Sequence, residues 1–199
     1  MLRVRLEYDQ GTSSPVEHDG QWMFYSFTRR HVYYKDPNWF LDDETGEPDT
    51  GLKAKLESGL AFFLDCYEHG NVRWSIGGEG TQCHWDTARF AGLLVWEHNE
   101  DGMGAVTYED RAKDARVFLE ELNNWFNGNC YWYRISRVEV CDKCGHEVED
   151  PIGDSCGGYI GDDYFLEEVR SSIKYYRKEE EEVVFVGDVA YMAASCVSW

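Results

Sequence analysis

Two cysteine-bearing segments hold the residue types that do chemistry. In Cys141-Asp-Lys-Cys144-Gly145-His146 two thiols flank a two-residue turn followed by glycine. That is the knuckle in which two thiolates converge on one Zn²⁺, and a closed structural site needs two further ligands. Cys156, across a hairpin, is the natural third. His146 is the nearest fourth, with Cys83, His84 and Cys130 as alternatives. The ligand set read from sequence is thus Cys141, Cys144, Cys156 and His146, in a zinc-knuckle hairpin spanning 141–161. No second Cys-x-x-Cys completes it, so three reduced, metal-free cysteines in a hairpin is an equal reading. A redox dithiol fits less well, because the thioredoxin-like motif opens a helix after a strand.

The second segment, Cys83-His84-Trp85-Asp86, has the composition of a nucleophile, a base and an orienting acid. Neighbours in a strand point to opposite faces, and catalytic partners come together from distant segments. The spacing therefore favours a polar turn leading into the apolar run that follows, and no catalytic residue is assigned. Ile76-Gly-Gly-Glu-Gly80 lacks both the Lys-Ser/Thr and the helix that a phosphate-cradling loop requires.

The charge balance bears on partners. Among 199 residues 38 are acidic and 19 basic, for a net charge of -19. Such a field repels nucleic acid and anionic membranes and attracts basic surfaces. One stretch concentrates it: Asp36, Asp42, Asp43, Glu44, Glu47 and Asp49 lie together without a basic residue among them. With Pro37, Gly46 and Pro48 they read as an exposed acidic loop and as the partner-binding residues. Aromatic stacking on nucleic acid needs cationic neighbours. Only Arg29–Lys35 and Tyr175–Lys178 supply them, so direct nucleic-acid binding is not expected and most rings should lie in a core. Seven cysteines without regular spacing, no signal-peptide pattern at the start, and no apolar run near membrane-spanning length predict a cytoplasmic protein with reduced thiols and no membrane contact.

These residues need elements to position them. Hydrophobic residues make up 43% of the chain and aromatics 16%, enough for one folded domain over 1–199. Leu2, Val4 and Leu6 alternate with Arg3, Arg5 and Glu7, a half-buried strand. Trp22–Tyr34 reads as one or two strands. Leu52, Leu56, Leu60 and Phe63 recur at helical spacing up to His69, with Gly70 as the stop. Val72–Ile76 is a short strand, and Arg89–Trp96 a continuous apolar strand buried on both faces. Thr107 with Asp110 forms an acidic capping box. It opens a helix whose stripe is Tyr108, Ala112, Ala115, Leu119, Leu122 and Phe126, ended by Gly128. Tyr131–Val140 is a long strand and Ser155–Tyr159 its return. Asp162 opens a second amphipathic helix, and Val183–Val189 is a last strand. The fold class is α+β: a mainly antiparallel sheet with two to three amphipathic helices packed on it.

Three segments also carry a resemblance. His84-Trp-Asp-Thr-Ala-Arg-Phe-Ala-Gly-Leu-Leu-Val-Trp-Glu97, the helix opened by Thr107, and Asp154-Ser-Cys-Gly-Gly-Tyr-Ile-Gly-Asp-Asp-Tyr164 with its following helix resemble a family of uncharacterised phage and plasmid accessory proteins. Those proteins share a W-D-S/T strand and a D-S-C-x-G-[FY]-x-G-x-D-Y segment. This chain departs from them at Gly157, where an aromatic is usual, and in the Cys-x-x-Cys turn. No activity comes with the resemblance. It implies a mobile-element context, in which small accessory proteins counter host defences. Charge and resemblance together read as an acidic protein of the host-cell cytoplasm that binds and inhibits a host nucleic-acid-binding or defence protein, of anti-CRISPR or anti-restriction type, by mimicking DNA charge. The alternatives are a metal- or Cys/His-dependent enzyme, and a structural or regulatory module without catalysis.

Overall fold

The computed structural model describes residues 1–18, 22–98, 104–153 and 155–194. It is α+β, mostly sheet, and its contacts divide into two compact units, Met1–Ser13 with Gly128–Trp199, and Ser14–Asn127.

The first unit is built on β1 (Leu2–Tyr8) and β6 (Cys130–Val140), antiparallel with Leu6 opposite Tyr133. The other edge of β1 takes β9 (Val183–Val186) in parallel, the exception in an otherwise antiparallel sheet. The other edge of β6 is shared. Its far half, Ser136–Val140, pairs with β7 (Glu147–Pro151), and its near half pairs with β8 (Cys156–Ile160). The alternation read from sequence is realised: Leu2, Val4 and Leu6 are fully buried, each worth about 1.5–3 kcal/mol of apolar transfer. They meet Phe165, Val169 and Ile173 of α3 (Asp162–Tyr176) and Val189, Met192 and Ala193 at α4 (Ala190–Ala194).

In the second unit the strand order is β2 (Met23–Ser26), β5 (Thr87–Val95), β3 (Ala61–His69), β4 (Asn71–Ile76), all antiparallel. One face packs on α2 (Tyr108–Phe126) through Trp22, Phe24, Phe62, Trp74 and Leu94 against Ala112, Ala115, Phe118, Leu119 and Leu122. The other face holds Leu93 and Val95 against Leu52 of α1 (Thr50–Ser58). Leu94 thus points one way and Leu93 and Val95 the other, which is why the run Ala91–Val95 is apolar at every position.

The capping box on α2 is present as expected, with Thr107 and Asp110 exchanging hydrogen bonds. Asp114, exposed on α2, accepts the Trp22 indole N–H at 2.9 Å. One expectation about helices needs correction. The helix from Leu52 stops at Ser58 instead of running to His69. Gly59 takes φ 77° as its C-cap, a conformation glycine adopts at no steric cost, and Ala61–His69 pairs as β3 between β5 and β4. Trp22–Tyr34 yields one strand, after which the chain turns through Thr28–His31 and Arg30 and His31 both reach Glu68.

Candidate functional site

The knuckle is well formed. Beyond the last ladder pair, Val140 with Glu147, Cys141 N–H donates to the His146 carbonyl at 2.8 Å and Gly145 N–H to the Cys141 carbonyl at 2.8 Å. Gly145 sits at φ 70°, in the left-handed region a side chain disfavours. The turn points backbone N–H groups of Lys143 and Cys144 at the Cys141 sulfur, and these, with the Cys144 thiol, hold the Cys141 thiol below its ordinary range. Cys141 and Cys144 are both exposed.

The rest of the expected ligand set does not join them. Cys156 lies opposite Tyr133 on β6. Cys141 lies eight positions beyond Tyr133, just past the end of β6, about 26 Å away at some 3.3 Å per residue. The strand that returns from the knuckle is β7, and Cys156 belongs to the next one. Cys130 is buried at the opposite end of β6, its thiol pushed up by burial. Among the described residues no three His, Cys, Asp or Glu side chains, His146 included, gather around a common point. Within one chain the knuckle offers two thiols.

Cys83, His84 and Asp86 form no relay. The Cys83 thiol donates directly to Asp86 Oδ2 at 3.4 Å, and His84 stacks edge-on against the Trp85 ring. The histidine that reaches Asp86 is His69, with Nδ1 3.3 Å from the same carboxylate oxygen. The acid stands between the thiol and the imidazole, whereas an activated nucleophile needs the base in that place. His69 was not singled out from sequence, since nothing local links the end of β3 to the turn before β5.

The acidic stretch is an ordered structure. Asp36 caps a 3-10 turn over Pro37–Phe40 by accepting from Asn38 N–H at 3.0 Å. Leu41 and Pro48 bridge antiparallel, and between them Asp42 Oδ1 accepts from Glu44 N–H, Thr45 N–H and the Thr45 hydroxyl. Those bonds, Thr45 N–H foremost, hold the Asp42 carboxyl below its ordinary range. Glu47 pairs with Lys53 at 2.7 Å, and Asp49 N-caps α1 through Leu52 N–H at 2.8 Å. Four of the six acids therefore have local structural work. The side chains of Asp43 and Glu44 have no hydrogen bond or ion pair among the described residues and are exposed at the turn's tip.

A buried acid was missed. Asp65, 2% exposed on β3, accepts Phe90 N–H at 3.1 Å on one oxygen, and Gly78 N–H at 2.9 Å and the Gln82 amide at 3.1 Å on the other. Burial raises its pKa, but these donors and Arg89 outweigh that and leave it below the ordinary carboxylate value. It sits where the β3–β5 register shifts and fixes Phe90 at φ 50°. The open cleft beside it, about 540 Å³, is lined by Leu56, Phe63, Arg89, Phe90 and Tyr108 among others. With its carboxylate already accepting three donors, Asp65 shapes the cleft and has little capacity left for a ligand. The sequence signal was one acid inside the apolar run Leu60–Cys66. Most aromatic rings lie in or against the cores, while Trp39 and Trp85, at 71% and 87%, are among several exposed ones that include Phe90, Tyr175 and Tyr191.

Comparison of the chain with protein-family models, with curated proteins and with solved structures gave no match.

Proposed function

We propose that this chain is an acidic binding protein that docks on the basic, nucleic-acid-binding surface of a host protein and displaces the nucleic acid there. The observation that carries the reading is the ordered turn Leu41–Pro48, which presents Asp43 and Glu44 on a fixed support. The charge excess does not favour one unit: 21 acids against 10 bases in Ser14–Asn127, 17 against 9 in the remainder. A rigid array of carboxylates competes for a cationic groove at lower ordering cost than a flexible acidic tail. The resemblance to phage and plasmid accessory proteins supports a defence complex, a CRISPR effector or restriction enzyme, as the class of target in the host cytoplasm. Among the described residues no helix is long and apolar enough to cross a membrane.

The test is capture from host lysate on the immobilised protein at low salt, followed by displacement of labelled duplex DNA from the captured partner. Binding should weaken steeply with salt and be lost at about 0.5 M NaCl, where the screening length is below ~5 Å. Asp43→Asn with Glu44→Gln should reduce affinity while leaving stability within about 0.5 kcal/mol, because both side chains are exposed and neither makes a hydrogen bond or ion pair among the described residues. Retention unchanged at that salt, or DNA left bound to the partner, would overturn the reading.

A further inference from the structure

The hairpin that carries the knuckle is an arm with its chemistry at the tip. Every residue from Glu139 to Pro151 is exposed, so beyond Val138 the two strands have left the core. Arg3 of β1 braces the arm, reaching Glu147, in the last ladder pair before the turn, at 2.7 Å and Glu149 at 3.0 Å. Its end holds Cys141 and Cys144 in a turn closed by Cys141 N–H to the His146 carbonyl and Gly145 N–H to the Cys141 carbonyl, both at 2.8 Å. This geometry suits a metal thiolate: two exposed cysteines flank a two-residue turn, and glycine at the next position, at φ 70°, keeps Cβ atoms out of the ion's way. Two thiols fill half of a tetrahedral shell, and no other described side chain of the same chain comes near enough to fill the rest.

We propose that the Cys141–Cys144 knuckle is half of a tetrahedral zinc site whose other half is the same knuckle of a second copy of this chain. A two-fold axis through the ion places four sulfurs around it, the self-complementary arrangement of symmetric dimers. Four S–H bonds lose their protons to solvent and four Zn–S bonds form, at about 2.3 Å. No electron is transferred. Every residue of the turn Cys141–His146 is exposed, which leaves the tip open to an equal tip. The charge of the arm makes the association conditional. Glu139, Asp142, Glu147, Glu149 and Asp150 outnumber Lys143 there, so two tips repel each other until a dication lies between them. The proposal is independent of the partner reading above, since it concerns only the arm and the ion.

The experiment is size-exclusion chromatography with light scattering on the full chain in a phosphine reductant, with Zn²⁺ or with EDTA, followed by metal analysis of the eluted peak. With Zn²⁺ the mass should double from 23.2 kDa with one ion per two chains, and EDTA should return the monomer. Co²⁺ in place of Zn²⁺ should give the visible bands and thiolate charge-transfer absorption of a tetrahedral four-sulfur site. Cys141→Ser and Cys144→Ser should each abolish the dimer with circular dichroism unchanged, because both residues are exposed; Cys156→Ser should dimerise like the parent. One ion per monomer, no bound ion, a dimer that survives EDTA, or a cobalt spectrum with nitrogen or oxygen ligands would each overturn the proposal.

Discussion

At the scale of single residues, the side chain with the largest structural consequence is Asp65. It carries a charge into the sheet, and three donors converge on it: Phe90 N–H, Gly78 N–H and the Gln82 amide. Replacing it removes the acceptor and strands two partly buried backbone donors, which costs more than the bonds themselves. Asp65→Asn, nearly isosteric, turns an amide N–H₂ toward those donors and should lower stability by about 2–4 kcal/mol in urea titrations at neutral pH. The pH dependence follows from the direction of the shift. A carboxyl held below its ordinary value contributes stability that is complete above about pH 4 and lost as pH falls through the lower folded-state value. The gap between parent and variant should therefore narrow as pH falls below about 4. A gap of constant size across that range would show that Asp65 is not the ionised acceptor described. An acid inside Leu60–Cys66 was visible as an oddity, but its donors come from Gly78, Gln82 and Phe90, and no local spacing relates those positions.

At the scale of elements, α2 does more than cover a core. Its last turns carry Asn123 and Asn127, one helical turn apart, facing Trp74 and Val72, two apart on β4. Each amide oxygen accepts the strand N–H, at 2.7 and 3.0 Å, and each amide N–H donates to the strand carbonyl, at 2.9 and 2.8 Å. The helix thus pairs with the free edge of the sheet as another strand would, and an edge so occupied cannot recruit a second chain. Asn123→Ala with Asn127→Ala removes these four hydrogen bonds and the one from Asn127 Nδ2 to the Asn123 carbonyl, a cost of roughly 2–5 kcal/mol, and leaves that edge open. Urea titration should show the loss, and light scattering in EDTA should show association the parent lacks under the same conditions; a variant as stable and monodisperse as the parent would contradict this. Elements were legible where their signals are local. Thr107, Asp110, the apolar stripe and Gly128 specify α2 within its own span. Leu52–His69 misled because Leu52, Leu56, Leu60 and Phe63 satisfy a helical period that the pairing of β3 with β4 and β5 overrides. The same limit misplaced Cys156. β7 has five exposed, mostly polar residues and no alternation to betray it, so the strand returning from the knuckle was taken to be the next one.

At the scale of the whole chain, the sequence read as one domain but the contacts fall into two units, and their connection is a nested one. β1 and β6 are neighbours in the sheet, with Tyr8 opposite Tyr131 and Asp9 N–H donating to the Cys130 carbonyl at 2.7 Å. Everything from Ser14 to Asn127 is inserted between them. The cores respect the division: Leu2, Val4 and Leu6 cluster with Ile135 and Phe165, while Trp22, Phe24 and Trp74 cluster with Leu119 and Leu122. Composition and periodicity are blind to such nesting, because they report each segment's own pattern and not the segment it pairs with. A unit with its own closed core can lose the insertion if the chain ends at the cut lie close together. Here they do, since Asp9 and Cys130 are already paired and only Gln10–Ser13, Gly128 and Asn129 remain between them. Joining Ser13 directly to Gly128 makes a six-residue hairpin loop, within the ordinary range for helix and strand connections. The trimmed chain should unfold cooperatively in urea with a smaller slope than the parent, in proportion to the surface it exposes. Its β1–β6 pairing should also form faster, because the loop to be closed is far shorter. Far-UV circular dichroism without a cooperative transition would mean that the β1–β6 sheet depends on the inserted unit for its stability, and that the separation of the cores is not a separation of folding units.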